Sequence, residues 1–365
     1  MSIKNREVIE LLCIGNALVD VFAQGEEEVD FRFGLYDAVQ HIPIGRIHEI
    51  LAMLPEFTPM SGGGSANVAK IAGAMGLKAG FIGAVGALQG GAGGADRFGR
   101  LFAGELAETG VSVRLKFKKQ PTGICLVLTM PDGRVKIAAA PAAAQELCEA
   151  DIDEDLIKEA QVVVLDGYML ERKGLVQHIL RLADKYGAPV ALDVSSSGLA
   201  FQRAAEIITY ARLYPLIIFM NEDESRAFYA ALVHRGGVSG EEVLGESPGE
   251  KPDNYEFLNA DMINLFRDFT ANEIFPIVTV KLGVRGAVVF AGGNIYRESA
   301  IPVIPLETTG AGDAFCAAFL GAWIRDKSLS ECAALGNRAA REVLGVNGTK
   351  INPKRLKAIA KKLQK

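Results

Sequence analysis

Short apolar runs ending in polar or glycine-rich loops recur along the whole chain: "ELLCIG", "AGFIGAVG", "QVVVLDG", "PVALDV", "PLIIFMN" and "PIVTVKLG". None alternates polar with apolar residues, so as strands they must be covered on both faces, the condition of a parallel sheet between helices. Segments with helical spacing lie between them, from Ala66 to Met75, Leu175 to Tyr186 and Leu258 to Glu273. This alternation predicts a three-layer α/β/α fold with a mostly parallel central sheet. Two regions break the rhythm. Residues 21–50 mix charges and aromatics without helical period, and residues 115–139 read as two strands, "GICLVLTM" and "RVKIAAA", joined by the turn "PDG". Together they predict a small sheet outside the main one. The polar stretch "HRGGVSGEEVLGESPGEKPDNY" reads as an exposed insertion, and no internal repeat is found.

Composition narrows the function classes. With 49% hydrophobic and 23% charged residues in 365, the chain is too apolar for disorder and long enough for one large domain, 1–365, with a small appendage. The net charge is −5 and no basic cluster is longer than "KAIAKKLQK" at the end, so nucleic acid is not an expected partner. Five scattered cysteines without C-x-x-C spacing suggest neither a disulfide framework nor a zinc site, and point to a cytoplasmic protein. The apolar stretch 71–88 is interrupted by Lys78 and five glycines, and the charged "MSIKNREVIE" lacks a signal-peptide core, so no membrane association is expected. The four histidines form no metal spacing, and neither a P-loop nor a G-x-S-x-G elbow is present.

The chemistry-bearing motifs are glycine-rich. In "ETTGAGDAF", a helix beginning near Asp313 would aim unpaired N–H groups from Gly310, Ala311 and Gly312 at one point, a site for an anion. The competing reading makes Asp313 a helix cap and the glycines a tight turn. "SGGGSANVAKIAGAMG" opens another helix, where Gly62, Gly63 and Gly64 offer bare backbone and Ser65 and Asn67 offer polar groups, or form a plain loop. In "LLCIGNALVD", Gly15, Asn16 and Asp20 follow the first strand, where open α/β sheets bind ligands, although Asp20 taken alone reads as a solvated loop acid. Asn221 and Glu224 of "MNEDES" sit one turn apart at a helix start, suited to water-mediated magnesium or to the helix dipole alone. "VTVKLGVRGAVVF" reads as a hairpin turning at Gly283 and Gly286.

Taken jointly and in order, "GNALVD", "SGGGSAN", "GFIGAVG", "DRFGRLFAGEL", "PTGICLVLTMPDGRV", "NEDE", "VKLGVRG" and "ETTGAGDAF" resemble the PfkB or ribokinase family of carbohydrate and nucleoside kinases over nearly the whole chain. The resemblance implies a ribokinase-like fold whose two irregular regions, about 21–50 and 115–139, form a β lid. It implies Asp313 as catalytic base, with Gly310, Ala311 and Gly312 as the anion hole. Asn16, Asp20, Gly62, Gly63 and Asn67 would hold the sugar hydroxyls. Asn221 and Glu224 would organise magnesium through water and, with Lys281, Gly283 and Gly286, the nucleotide. The expected cofactors are ATP and Mg2+, with a monovalent cation such as K+ as a further expectation. The expected partner is a small sugar or nucleoside, with a homodimer through the lid.

Three departures from the family pattern stand out. Glu307 occupies a usual Asp position, "LQGGAGGAD" is long and glycine-rich, and Gly64 replaces a commonly polar residue. "GNALVD" is nearer the adenosine kinase branch, which favours a ribosyl acceptor over a free sugar, with Phe22, Phe31, Phe33 and Tyr36 as a platform for a base or as lid packing.

Overall fold

The computed structural model describes residues 8–25, 39–88, 93–233, 258–303 and 309–344, together with 355, 356, 358 and 359. In chain order the elements begin with β1 (Ile9–Ile14), β2 (Leu18–Gln24), β3 (Val39–His41), α1 (Ile44–Met53), β4 (Thr58–Gly62), α2 (Gly64–Ala74), β5 (Ala79–Gly86) and α3 (Arg97–Glu108). Next come β6 (Ser112–Lys118), β7 (Thr122–Thr129), β8 (Val135–Ala142), α4 (Glu154–Glu159), β9 (Ala160–Asp166), α5 (Lys173–Lys185), β10 (Val190–Asp193) and α6 (Ser197–Ala211). The last are β11 (Leu216–Asn221), α7 (Glu222–Val233), α8 (Ala260–Ala271), β12 (Val278–Lys281), β13 (Ala287–Ala291), β14 (Asn294–Glu298), α9 (Ala311–Trp323) and α10 (Leu329–Leu344).

Nine strands form the main sheet in the order β14-β13-β12-β11-β10-β9-β1-β5-β6. From β6 through β12 every pairing is parallel, and β13 and β14 close the far edge as antiparallel strands. The six apolar runs lie in β1, β5 and β9–β12, and successive residues feed opposite cores. Leu11 and Cys13 face one core while Leu12 and Ile14 face the other, and Val162 and Val164 are likewise split from Val163 and Leu165. Both faces are therefore apolar, which is why the runs carry no alternation. α2, α9 and α10 cover one face and α5, α6 and α7 the other, the three-layer α/β arrangement that the sequence predicts.

The second sheet has five strands in the order β3-β8-β7-β2-β4. The "PDG" turn does join antiparallel strands, β7 and β8. The boundaries expected for the lid need correction. Residues 115–118 belong to β6 in the main sheet, and the small sheet also takes in β2 from Leu18 and β4 from Thr58. Residues 44–50, expected to lack helical period, belong to α1, whose Ile47, Ile50 and Leu51 pack in the same core as Val19, Val21, Ile124 and Leu126 of the small sheet. Residues 26–38, 89–92, 234–257 and 304–308, and with them Phe31, Phe33, Tyr36, the exposed insertion and Glu307, lie outside the described residues. Among the described residues, no helix is long and apolar enough to cross a membrane.

One apolar segment explains how the site is held. In α9 every residue from Ala314 to Ala322 is buried, so the helix runs through the core rather than over it. Phe315 and Phe319 stack at 5.9 Å, and Phe319 meets Phe219 of β11 edge-on at 5.3 Å. From the other side α10 comes so close that a Cβ on Gly336 would stand 2.7 Å from the Phe315 ring. The first turn of α9 is thereby fixed against the C-terminal ends of the parallel strands.

Candidate functional site

α9 begins at Ala311, two residues before the expected start, with Gly310 at φ 79° as its N-terminal cap residue. Glycine is suited there because the left-handed conformation strains residues with a Cβ. Asp313 therefore lies inside the first turn. The N–H of Ala314 reaches the Gly310 carbonyl at 2.9 Å, while those of Ala311, Gly312 and Asp313 have no acceptor within the helix. Asp313 does not cap this helix. Its Oδ2 accepts from Nδ2 of Asn67 in α2 at 2.9 Å, and its Oδ1 lies over Gly64, 3.7 Å from where a Cβ would stand.

The glycines of the α2 loop are required by close approaches. A Cβ on Gly62 would lie 2.2 Å from the Asp20 carboxylate, and one on Gly63, at φ 97°, 2.4 Å from the Asn16 carbonyl oxygen. Asp20 is buried within β2, not a solvated loop acid. Ser65 donates through Oγ to Asp166 Oδ2 at 2.8 Å. Lys70 reaches Oγ of Ser61 at 2.7 Å and braces the strand that leads into Gly62. Among the described residues, two buried acceptors, Asn67 Oδ1 and Asp166 Oδ1, have no hydrogen-bond partner, so a ligand carrying hydroxyl donors would satisfy them.

On the other side of Asp313, Lys281 at the end of β12 donates to Asp193 Oδ2 at 2.6 Å, and its Nζ lies 3.1 Å from where a Cβ on Gly312 would be. Gly283 and Gly286 form the expected hairpin between β12 and β13, through a 3-10 turn at Gly283–Arg285. A Cβ on Gly286, at φ 94°, would strike the Glu298 carbonyl. These residues, with Ala311, Gly312, Ile301 and Phe315, line a mainly apolar cleft of about 230 Å³. Asn221 and Glu224 form a closed reciprocal cap at the start of α7. The Asn221 backbone N–H and Nδ2 donate to the two Glu224 carboxylate oxygens, and the Glu224 N–H donates to Asn221 Oδ1, each at 2.8 Å.

The electrostatics of this centre are those of crowded carboxylates. Burial, then the charge of Asp193, pushes Asp313 up to about 7, against the pull of Asn67 and Lys281. Burial and Asp193 likewise raise Glu224, and burial raises Asp166. Burial alone would lower the Lys281 ammonium, but Asp193, Cys316 and Glu224 outweigh it and hold that group above its ordinary value. Among the described residues no group of three or more His, Cys, Asp or Glu could hold a metal on its own. The excess of carboxylates nonetheless suits a hard cation that brings phosphate oxygens and water as its other ligands, the usual mode for Mg2+.

Thus Asn16, Asp20, Gly62, Gly63 and Asn67 gather on one side of Asp313, and Lys281, Gly283 and Gly286 on the other. Asn221 is the register partner of Lys281 across β11 and β12, so the Asn221–Glu224 cap stands beside the Lys281–Asp193 pair, whose two charges both act on Glu224. Three residues were not singled out from the sequence. Asp166 and Asp193 end the strands β9 and β10, and an acid at the end of an apolar run was the available signal, since ligands gather there. Arg172, which donates to Asn16 Oδ1 at 2.7 Å across 156 residues, had no sequence signal.

A 5-dehydro-2-deoxygluconokinase of Clostridium perfringens is 26% identical over 327 residues, covering 82% of this chain and 85% of that protein. An ATP-dependent ribose-1-phosphate kinase of Halopiger xanaduensis is 28% identical over 297 residues, covering 80% and 83%. In fold, the chain is similar to the adenosine kinase from Sinorhizobium meliloti, with a TM-score of 0.78 at 24% identity over 98% of this chain and 99% of that one. Kinases of this kind are phosphotransferases that act on hydroxyl groups and use ATP and a divalent metal. The model of the pfkB family carbohydrate kinases matches residues 46–355, and the chain belongs to that family.

Proposed function

We propose that the protein transfers the γ-phosphoryl group of ATP to a primary hydroxyl of a ribosyl compound or related sugar, with Asp313 as general base. The observation that carries this reading is the placement of Asp313. Its Oδ2 is held by Asn67 from another helix, its Oδ1 lies over the bare backbone of Gly64, and it stands in the first turn of a helix whose N–H groups lack acceptors. A mere cap would turn back on its own helix.

The division of labour follows from phosphoryl transfer, which asks for alignment and charge stabilisation more than covalent chemistry. Asp20 and Asn67, with the backbone at Gly62 and Gly63 and the open acceptor of Asp166, hold the hydroxyls of the acceptor. Asp313 takes the proton as the acceptor oxygen forms its bond to phosphorus and the bond to ADP breaks. The N–H groups of the α9 N-terminus, Ala311 and Gly312 among them, and the Lys281 ammonium meet the charge on the transferring group. The apolar cleft beside Gly283 and Gly286 suits a nucleotide base. Mg2+ bound near Asn221 and Glu224 would neutralise phosphate charge. A cytoplasmic setting, a role for K+ and pairing of two lids in a homodimer are further parts of this reading. An adenosine-like acceptor rests on "GNALVD" and on aromatics of which only Phe22 is described, half-buried in β2.

The test is ADP release across nucleosides, pentoses, hexoses and sugar phosphates. Release should require both an acceptor and Mg2+, and fall to background in excess EDTA. Equal release without acceptor, or with EDTA present, would refute the reading.

A further inference from the structure

The acceptor side of the site contains a cation that nothing in the proposed reaction uses. Arg172 follows β9 at the end of a short 3-10 segment, Gly167–Glu171, and is only partly open to solvent. Its guanidinium donates to Asn16 Oδ1 and to Met169 Sδ, each at 2.7 Å, and to the carbonyl of Ala144. All three acceptors are neutral. Among the described residues no carboxylate comes within ion-pairing distance of Arg172, and Asp166 and Glu171 act on it only from further off. The other cations nearby are engaged, Lys70 with Ser61 and Glu105 and Lys281 with Asp193.

A largely buried guanidinium without an anion is costly, and burial weakens its hold on its proton. A guanidinium has five N–H donors. The three described bonds take both Nη2 hydrogens and one on Nη1, which leaves the Nε–H and one Nη1–H, each able to donate a charge-assisted hydrogen bond to an oxyanion. Its place is settled by its partners. Asn16 follows β1 and is backed by Gly63, and Ala144 lies just past β8, where the small sheet returns to the main body. Arg172 therefore stands beside Asn16 on the acceptor side of the site.

We propose that Arg172 selects an acceptor bearing an oxyanion, a phosphate or a carboxylate, at the end remote from the hydroxyl that is phosphorylated, so that the preferred acceptor is a sugar phosphate or sugar acid rather than a neutral nucleoside. This rests on the kinase reading above and narrows its acceptor.

The experiment compares kcat/KM for matched acceptors: ribose 1-phosphate against ribose and adenosine, and gluconate against glucose. The wild-type protein should prefer one charged acceptor over its neutral counterpart, and the two pairs separate phosphate from carboxylate. In Arg172→Met that preference should shrink roughly 10- to 100-fold, the usual effect of losing hydrogen bonds to a charged group, and Arg172→Lys should restore part of it. The loss should appear mainly in KM. A wild-type enzyme that uses ribose or adenosine as well as either anionic acceptor would overturn the proposal, as would a preference that survives in a folded Arg172→Met. If no acceptor supports ADP release, the kinase reading fails, and calorimetric binding of the same pairs still decides Arg172. Tighter binding of the anion that is lost in Arg172→Met supports the role, and equal binding of charged and neutral acceptors ends it.

Discussion

Replacing Asp313 by Asn should lower kcat by about 10²- to 10⁴-fold, the range expected when a general base is lost, with the protein still folded. Asn matches Asp in size, and its amide oxygen can still accept from Asn67 Nδ2. The N–H groups at the start of α9 are untouched, so binding of ATP and acceptor should change little. The raised proton affinity of Asp313 adds a second signature. With the carboxyl held near 7, wild-type kcat/KM should fall on the acid side with a midpoint near pH 7, not near the value of a free carboxylate. Stability should move the other way. Because the folded value lies above the unfolded one, the contribution of Asp313 is favourable below about pH 4 and is lost as the pH rises through 7. The Asn variant, which does not titrate, should therefore match or exceed the wild type in thermal midpoint at pH 8. A folded variant with near-normal kcat would place the base elsewhere.

The central sheet was legible because parallel strands buried on both faces leave an unmistakable mark, the unalternating apolar run. The edge strand β6 was not. Its sequence "SVRLKFK" alternates basic and apolar residues, as an outer strand of a lid would, yet it pairs in parallel with β5. α1 was missed for a related reason. Its buried face is only Ile47, Ile50 and Leu51, and the surrounding charges hide so short a stripe. At the site, the glycine clusters were read as bare backbone for a ligand, and at Gly62 and Gly63 the space a Cβ would need is taken by the protein's own Asp20 carboxylate and Asn16 carbonyl. What the chain order could not carry was the meeting of distant side chains. Asn67 and Asp313 are 246 residues apart and Lys281 and Asp193 are 88 apart. Such contacts exist only once the parallel strand order lines up the C-terminal ends of β1, β9, β10 and β12 on one side of the sheet.

The second large effect belongs to the ion pair of Lys281 and Asp193. Their side chains are only 13% and 11% exposed and 2.6 Å apart, so neither charge has much water to fall back on. Lys281→Met keeps most of the side-chain volume but strands the Asp193 carboxylate, which also accepts from Cys316 Sγ at 3.1 Å. Breaking one partner of a buried pair costs about 3–5 kcal/mol, and that loss should appear in urea unfolding at neutral pH. Asp193 is also the charge that most raises Asp313 after burial, while Lys281 opposes the rise. Residual activity in Lys281→Met should therefore show its acid limb displaced to higher pH than in the wild type, a change that a purely structural role for the lysine would not produce. The double variant Lys281→Met with Asp193→Asn removes both charges, so it should recover part of the lost stability and reverse the displacement. A single variant that loses less than about 1 kcal/mol would mean that solvent reaches Asp193 freely, and that the carboxylate cluster does not set the proton affinity of Asp313.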